Sequence, residues 1–214
     1  MPASPAPILL YHITHLDNLP GILQTGCLHC QQQLGKAGLH PVSVAYPGIQ
    51  DRRAITSILC GPGGSLHDYV PFYFAPRSPM LYAIHKNRVE GYDGGQTPLV
   101  HLVSSVAQME TTGHPFVFSD GHATMSFTRF FTELKNLDQI DWPLMAATYW
   151  HDTPQDPDRK RRRQAEFLVY NKVSLPAIIG IGVINDHIQQ RVEGLLATHQ
   201  IELPVRVRRN WYYE

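Results

Sequence analysis

Glu166 follows a run of positive charge. Arg159, Lys160, Arg161, Arg162 and Arg163 are five consecutive basic residues; Gln164 and Ala165 come next, and Glu166 opens the apolar run Phe167-Leu168-Val169-Tyr170. A cationic cluster beside one carboxylate at a strand edge suits a site that handles an anionic substrate and stabilises a cation in the same place. The same composition also describes a solvated loop followed by an exposed glutamate, so this segment alone leaves both readings open. Three other segments carry usable chemistry. Tyr11-His12-Ile13-Thr14-His15 ends a strand-like run, where a histidine offers a ring nitrogen or a backbone amide, or is simply a satisfied structural residue. Asp51-Arg52-Arg53 lies on a short helical segment; the arginine fork matches phosphates, carboxylates or a deprotonated base edge, and an exposed helix face is the plain alternative. The aromatics of Val70-Pro71-Phe72-Tyr73-Phe74 either stack on a flat ring or fill the core.

Composition narrows the classes. The chain has 214 residues, 43% of them hydrophobic and 17% charged, which suits one domain over 1–214 with a real core. The formal net charge is zero, so any nucleic-acid affinity must come from local patches. Cys27, Cys30 and Cys60 do not make a disulfide framework, and Cys27-Leu28-His29-Cys30 lacks the second ligand pair of a zinc site, so no metal is expected. Dinucleotide and P-loop fingerprints are missing, which speaks against a hydride-transferring oxidoreductase; Gly61-Pro62-Gly63-Gly64 reads as a loop. G-x-S-x-G and H-E-x-x-H are missing too, which lowers the hydrolase and metalloprotease readings. The first ten residues carry no basic n-region, and no apolar run nears the ~20 residues of a bilayer span. A cytoplasmic chain with no signal peptide and no membrane partner is expected.

The elements that must hold these residues follow from pattern. Ile8–Ile13, Tyr69–Phe74, Leu99–Val103, Phe116–Phe118, Glu166–Tyr170, Ile178–Ile184 and Val205–Arg209 read as strands, with Pro71 pushing the second toward an edge or a strand start. Helices are predicted from Leu16 to a stop at Gly26, capped by Asp17 or Asn18, and over Val44–Ala54. Further helices are predicted over Pro79–Lys86 behind the Ser78 cap, Phe127–Leu137, Pro143–Tyr149 and Asp186–His199. The last carries Ile188, Val192, Leu195 and Leu196 on one face. Leu59–Leu66 and Asp152–Asp158 read as loops. Short strands and helices without strict alternation favour an α+β fold.

Taken in order, these motifs give the chain its likeness. It resembles the DarT family of DNA ADP-ribosyltransferase toxins from Tyr11 to Tyr213. The carriers are Tyr11-His12-Ile13-Thr14-His15, Ile49-Gln50-Asp51-Arg52-Arg53, Leu66-His67-Asp68-Tyr69-Val70-Pro71-Phe72-Tyr73-Phe74, Arg77-Ser78-Pro79-Met80-Leu81-Tyr82, Gln164-Ala165-Glu166-Phe167-Leu168-Val169 and Trp211-Tyr212-Tyr213. It is most similar to the branch that modifies thymidine in single-stranded DNA. The resemblance implies an ADP-ribosyltransferase-like split mixed β-sheet with surrounding helices and an NAD⁺ cleft. It implies NAD⁺ as co-substrate, with Glu166 and Arg53 as the catalytic pair and Arg52 as the alternative arginine. His12, Thr14, Asn18, Arg53 and Tyr73 are implied to bind NAD⁺. Arg159, Lys160, Arg161, Arg162, Arg163, His122 and Arg52 are implied to contact single-stranded DNA. A partner antitoxin with a macrodomain that removes ADP-ribose from DNA is implied as well. Two rival expectations are transfer to another acceptor (guanosine in DNA, RNA or protein) and a catalytically silent nucleic-acid-binding module.

Overall fold

The computed structural model describes residues 7–214; residues 1–6, where part of the signal-peptide expectation falls, lie outside the described residues. Ten strands form: β1 Leu9–His15, β2 Cys27–His29, β3 Tyr69–Tyr73, β4 Leu99–Ser105, β5 Phe116–Ser119, β6 Phe130–Phe131, β7 Glu166–Tyr170, β8 Lys172–Ser174, β9 Gly180–Val183 and β10 Val205–Val207. The helices are α1 Leu19–Thr25, α2 Gln31–Lys36, α3 Pro47–Ile55, α4 Pro79–His85, α5 Val106–Thr111, α6 Trp142–Ala146, α7 Arg159–Arg162 and α8 Asp186–Thr198. Eight strands make one sheet in the order β10-β9-β4-β1-β3-β7-β5-β6, and β2 pairs with β8 in a separate small sheet. The neighbours in the large sheet are antiparallel except β9 and β10, which run parallel and are joined through α8. The fold is therefore α+β with a mostly antiparallel mixed sheet, as expected.

The sheet is split at its centre, and the split positions the site. β1 pairs along its whole length with β4, from Leu9↔Ser105 to His15↔Leu99, but meets β3 only at Tyr11↔Tyr73. β3 is fully paired on its other side with β7, from Tyr69↔Tyr170 to Tyr73↔Glu166. Pro71 explains part of the opening. The His12 Nδ1 donates to the Pro71 carbonyl at 2.8 Å, so that carbonyl faces β1. In a strand the N and C=O of one residue point the same way, so the missing Pro71 N–H also lies on the split side, where no ladder bond is lost. The expectation of an edge or strand-start position is corrected: Pro71 is mid-strand in the interior of the sheet.

The core lies against this sheet. Leu10, Phe72, Phe118, Phe167 and Val183 are fully enclosed, and Phe116 stacks on Phe167 at 4.7 Å between ring centroids. α8 buries Ile188, Val192 and Leu196, while Leu195 is only partly buried.

Several local expectations change. Phe127–Leu137 is not a helix. Phe130 and Phe131 pair with Ser119 and Phe118, the Phe118 and Phe131 rings stack at 5.4 Å, and a 3-10 turn over Leu134–Gln139 follows. Cross-strand aromatic packing outweighs local helix propensity there. The helix expected over Pro143–Tyr149 ends at Ala146, where the Arg163 guanidinium donates to the carbonyls of Leu144, Met145 and Ala147. The basic run is helical over Arg159–Arg162 rather than a loop.

Candidate active site

α3 begins with Pro47 at its first position and carries Arg53 in its last turn. β7 begins at Glu166, whose N–H donates to Ser119 Oγ at 3.1 Å. Arg53 Nη1 lies 3.0 and 2.9 Å from the two Glu166 carboxylate oxygens. The residues are only 8% and 3% exposed, so the pair is nearly dry. Taking both charges out of water is costly, and a single guanidinium nitrogen repays only part of it. Arg53 Nη2 is buried with no hydrogen-bond partner among the described residues. Such an orphan donor costs about 1–3 kcal/mol, which a ligand oxygen at this position would recover.

Glu166 and Arg53 line a cavity of about 1280 Å³ that opens along the split. It exceeds the ~300–1,000 Å³ of an ordinary small-molecule pocket, leaving room for a dinucleotide and part of a second substrate. The same wall holds His12, Thr14, Asn18, Tyr73, His122 and Arg52. The two adjacent arginines take different places. Arg53 points inward onto Glu166, while Arg52 is exposed and its Nε donates to the Gly48 carbonyl at 3.2 Å.

Tyr73 is half-buried and pairs in register with Glu166. Burial, and then the Glu166 charge, push its phenol well above the ordinary range, so it stays neutral and presents a ring. Asn18 lines the cavity with its amide hydrogen-bonded within the protein. Its Nδ2 donates to Thr14 Oγ1 at 3.1 Å and to the Val42 carbonyl at 3.0 Å, and its Oδ1 accepts from the Val42 N–H at 2.8 Å. The amide is thus committed to the protein. It ties the end of β1 to the segment around Val42, another part of the cavity wall. Asn18 also precedes α1 without capping it; His15 accepts from the Asp17 N–H instead.

His12 is half-buried at the cavity wall, and His101 lies on the neighbouring strand β4, opposite Ile13, with no exposure. Desolvation pushes both imidazoles down to about 4, against the opposing pull of backbone carbonyls at Pro71 and Pro76. An unfolded histidine titrates near ~6.5, so between the two values the unfolded chain binds more protons. Stability from these groups is therefore complete above about pH 6.5 and is lost as pH falls toward 4. For the enclosed His101 the expected loss is about 3 kcal/mol across that window. Urea unfolding between pH 7 and 4 measures it, and His101→Gln should flatten the curve; an equally steep curve in that variant would sink the assignment.

The basic run is largely neutralised. Arg161 pairs with Asp120 at 2.9 Å and Asp158 at 2.7 Å. Arg162 pairs with Asp141, Asp156 and Asp158. Arg159 donates to the carbonyls of His151 and Tyr149. Arg163 is buried and donates only to carbonyls, including that of Arg77. The expectation that Arg163 contacts DNA is corrected: it braces the segment that leads into Glu166. Of the run, Lys160 is exposed at the cavity without an ion-pair partner among the described residues. Arg88 shares that property and carried no sequence signal beyond being an isolated basic residue. Trp150 is also buried; its Nε1 donates to Tyr213 Oη at 2.9 Å.

His122 lines the cavity, and its Nδ1 accepts from the Thr124 N–H at 3.3 Å. Burial lowers its pKa, with the Glu166 charge acting in the opposite direction. Ser119, which seats the Glu166 backbone, carried no sequence signal; its role comes from β5 lying beside β7. Among the described residues, no group of three or more His, Cys, Asp or Glu is placed to hold a metal ion, and no helix is long and apolar enough to cross a membrane.

The arrangement can stabilise a developing cation with Glu166 while Arg53 and neutral aromatic or imidazole rings hold a flat, phosphate-bearing molecule. Comparisons with known proteins bear on that chemistry. The family model described as "ssDNA thymidine ADP-ribosyltransferase, DarT" matches residues 11–213. A DNA ADP-ribosyl transferase of Thermus aquaticus is 46% identical over 214 residues, spanning 99% of this chain and 92% of the relative. The structure of Thermus sp. 2.9 DarT in complex with ADP-ribosylated ssDNA superimposes with a TM-score of 0.90 at 44% identity, covering 98% of both chains. The same relative in complex with NAD⁺ gives 0.86 at 41% identity, covering 99% of this chain and 100% of the other. A more distant relative, a DNA ADP-ribosyl transferase-DNA ADP-ribosyl glycohydrolase fusion protein of Thermosipho africanus, is 28% identical over 183 residues, 83% of this chain and 42% of the fusion.

Proposed function

The chain belongs to the DarT family, and from that premise we propose that it transfers ADP-ribose from NAD⁺ to thymidine in single-stranded DNA, as the toxin of a toxin–antitoxin pair. It is a DNA ADP-ribosyltransferase with NAD⁺ as co-substrate. The observation that carries the residue assignment is the buried Arg53–Glu166 pair with Arg53 Nη2 left over.

The bond between nicotinamide and ribose C1′ breaks, and its electron pair leaves with nicotinamide. Glu166 stabilises the positive charge that builds on the ribose. A thymine ring nitrogen forms the new bond to C1′, and its imide proton passes to a base, for which Glu166 is placed. Arg53 Nη2 meets the negative charge on the thymine edge or on NAD⁺. The His12 backbone and the Tyr73 ring line the nicotinamide-ribose end. The unpaired cations Arg52, Lys160 and Arg88 at the cavity meet DNA phosphates. A single strand exposes the reacting edge without the cost of unpairing. The glycohydrolase half of the Thermosipho africanus fusion supports a macrodomain antitoxin that removes the mark. Action on DNA in the cytoplasm is part of the same reading.

Asn18→Ala should raise the KM for NAD⁺ about tenfold, the worth of one or two hydrogen bonds, by releasing the segment around Val42. Nicotinamide release against NAD⁺ concentration measures it. An unchanged KM would mean that this tether does not shape the NAD⁺ site.

The reading is tested by incubating the protein with NAD⁺ and single-stranded oligonucleotides of varied sequence, with a duplex control, followed by mass analysis. An ADP-ribose increment on a thymidine of the single strand, missing from the duplex, is expected. NAD⁺ consumption without any modified strand would redirect the reaction to another acceptor, and no consumption at all would end the transferase assignment for these residues.

A further inference from the structure

Phe127 stands out beside the described machinery. It lies between β5 and β6 on the segment that starts at Ser119, the residue seating the Glu166 backbone, and it lines the same cavity. It is 60% exposed, unusual for so large an apolar side chain held against a cavity. The exposure does not come from a loose loop. Asp120 Oδ1 accepts from the Arg129 N–H, Asp120 N–H donates to the Arg129 carbonyl, and Thr128 Oγ1 donates to the His122 carbonyl. The segment is closed on itself at both ends.

One face of the ring is already occupied. The Arg161 guanidinium carbon sits 5.0 Å from the Phe127 centroid. Arg161 is fixed in turn by Asp120 and Asp158. A side chain at Gly121 would collide with it, since a Cβ there would stand 2.3 Å from Arg161 Nη1. The cation therefore backs the ring rigidly and leaves an aromatic face open. Met125, also exposed, and Lys160, a cation without an ion-pair partner among the described residues, line the same cavity.

We infer that Phe127 is a stacking platform for one unpaired nucleobase flanking the thymidine that reacts. This rests on single-stranded DNA being the substrate. A flat ring backed by a cation takes the face of any base, and the free cation Lys160 in the same cavity suits a backbone phosphate; an apolar protein segment would use neither. Stacking tolerates every base, so the platform contributes affinity and register rather than base identity.

The test is fluorescence anisotropy with a labelled single strand containing one thymidine, in which each flanking nucleotide is replaced in turn by an abasic one. Phe127→Ala should weaken binding about tenfold, and Phe127→Trp should retain it. One abasic position should cost the wild type the same factor and cost Phe127→Ala nothing further. The rise in Tm on adding NAD⁺ should match across all three proteins, which shows that the variants keep the fold and the NAD⁺ site. Additive losses at every abasic position, or binding indifferent to Phe127→Ala, would overturn the platform alone. Failure of the wild type to bind any single strand would overturn the substrate reading and the platform together.

Discussion

Glu166→Gln should lower the rate of ADP-ribosyl transfer by ~10²–10³, the usual loss when one preorganised electrostatic group is removed from a reacting centre. The substitution keeps the shape and removes the charge. Glu166 is only 3% exposed, so solvent screens its charge little. NAD⁺ binding should change little, because the charge is needed only as the glycosidic bond breaks. A stability cost follows too. Arg53 Nη1 bridges both carboxylate oxygens, so turning one oxygen into an amide sets two donors against each other, at about 1–3 kcal/mol. Single-turnover transfer at saturating NAD⁺, with a melting curve alongside, separates the two effects. A rate within a few-fold of wild type would remove Glu166 from the transition state.

Arg53→Lys should lose ~10² in transfer while folding almost normally. A lysine ammonium can reach Glu166 in place of Nη1 and preserve the buried ion pair. It has no second planar nitrogen to stand where Nη2 now lies without a partner. Arg53→Ala answers a different question. It strands the Glu166 charge in a buried place and should cost about 3–5 kcal/mol of stability. Comparing rate and Tm of the two variants distinguishes an arginine that serves the substrate from one that only neutralises its neighbour. Full activity in Arg53→Lys would assign Nη2 no part in the reaction.

Much of the fold was legible because strands and caps are local. The continuous apolar run after Glu166, the Ser78-Pro79 start of α4 and the Gly26 stop of α1 each depend on neighbours within a few residues, and each is found in the structure. The failures share a cause. Phe130 and Phe131 became a strand because Phe118 and Ser119 were there to pair with. Pro71 sits inside the sheet because the split leaves its missing N–H nothing to bond. No local window contains those partners.

The site divides in the same way. The residue types were readable, and so was the chemistry they permit: a carboxylate beside arginines, a histidine at a strand end, aromatics before a capped helix. Which of them meet was decided by tertiary structure. Arg52 and Arg53 are adjacent in the chain, but helical geometry turns neighbours to different faces, and β7, 113 residues away at Glu166, selects Arg53. Part of the neutralisation of the five basic residues was local, since Asp156 and Asp158 precede the run and pair with Arg162 and Arg161. The rest was not: Asp120, 41 residues before Arg161, and Asp141, 21 before Arg162, take up charge that no local window pairs. Sequence determined which groups were available; the long-range pairing of strands decided which were dry, paired or left with a free donor, because burial and Coulomb contact depend on distance in space rather than along the chain.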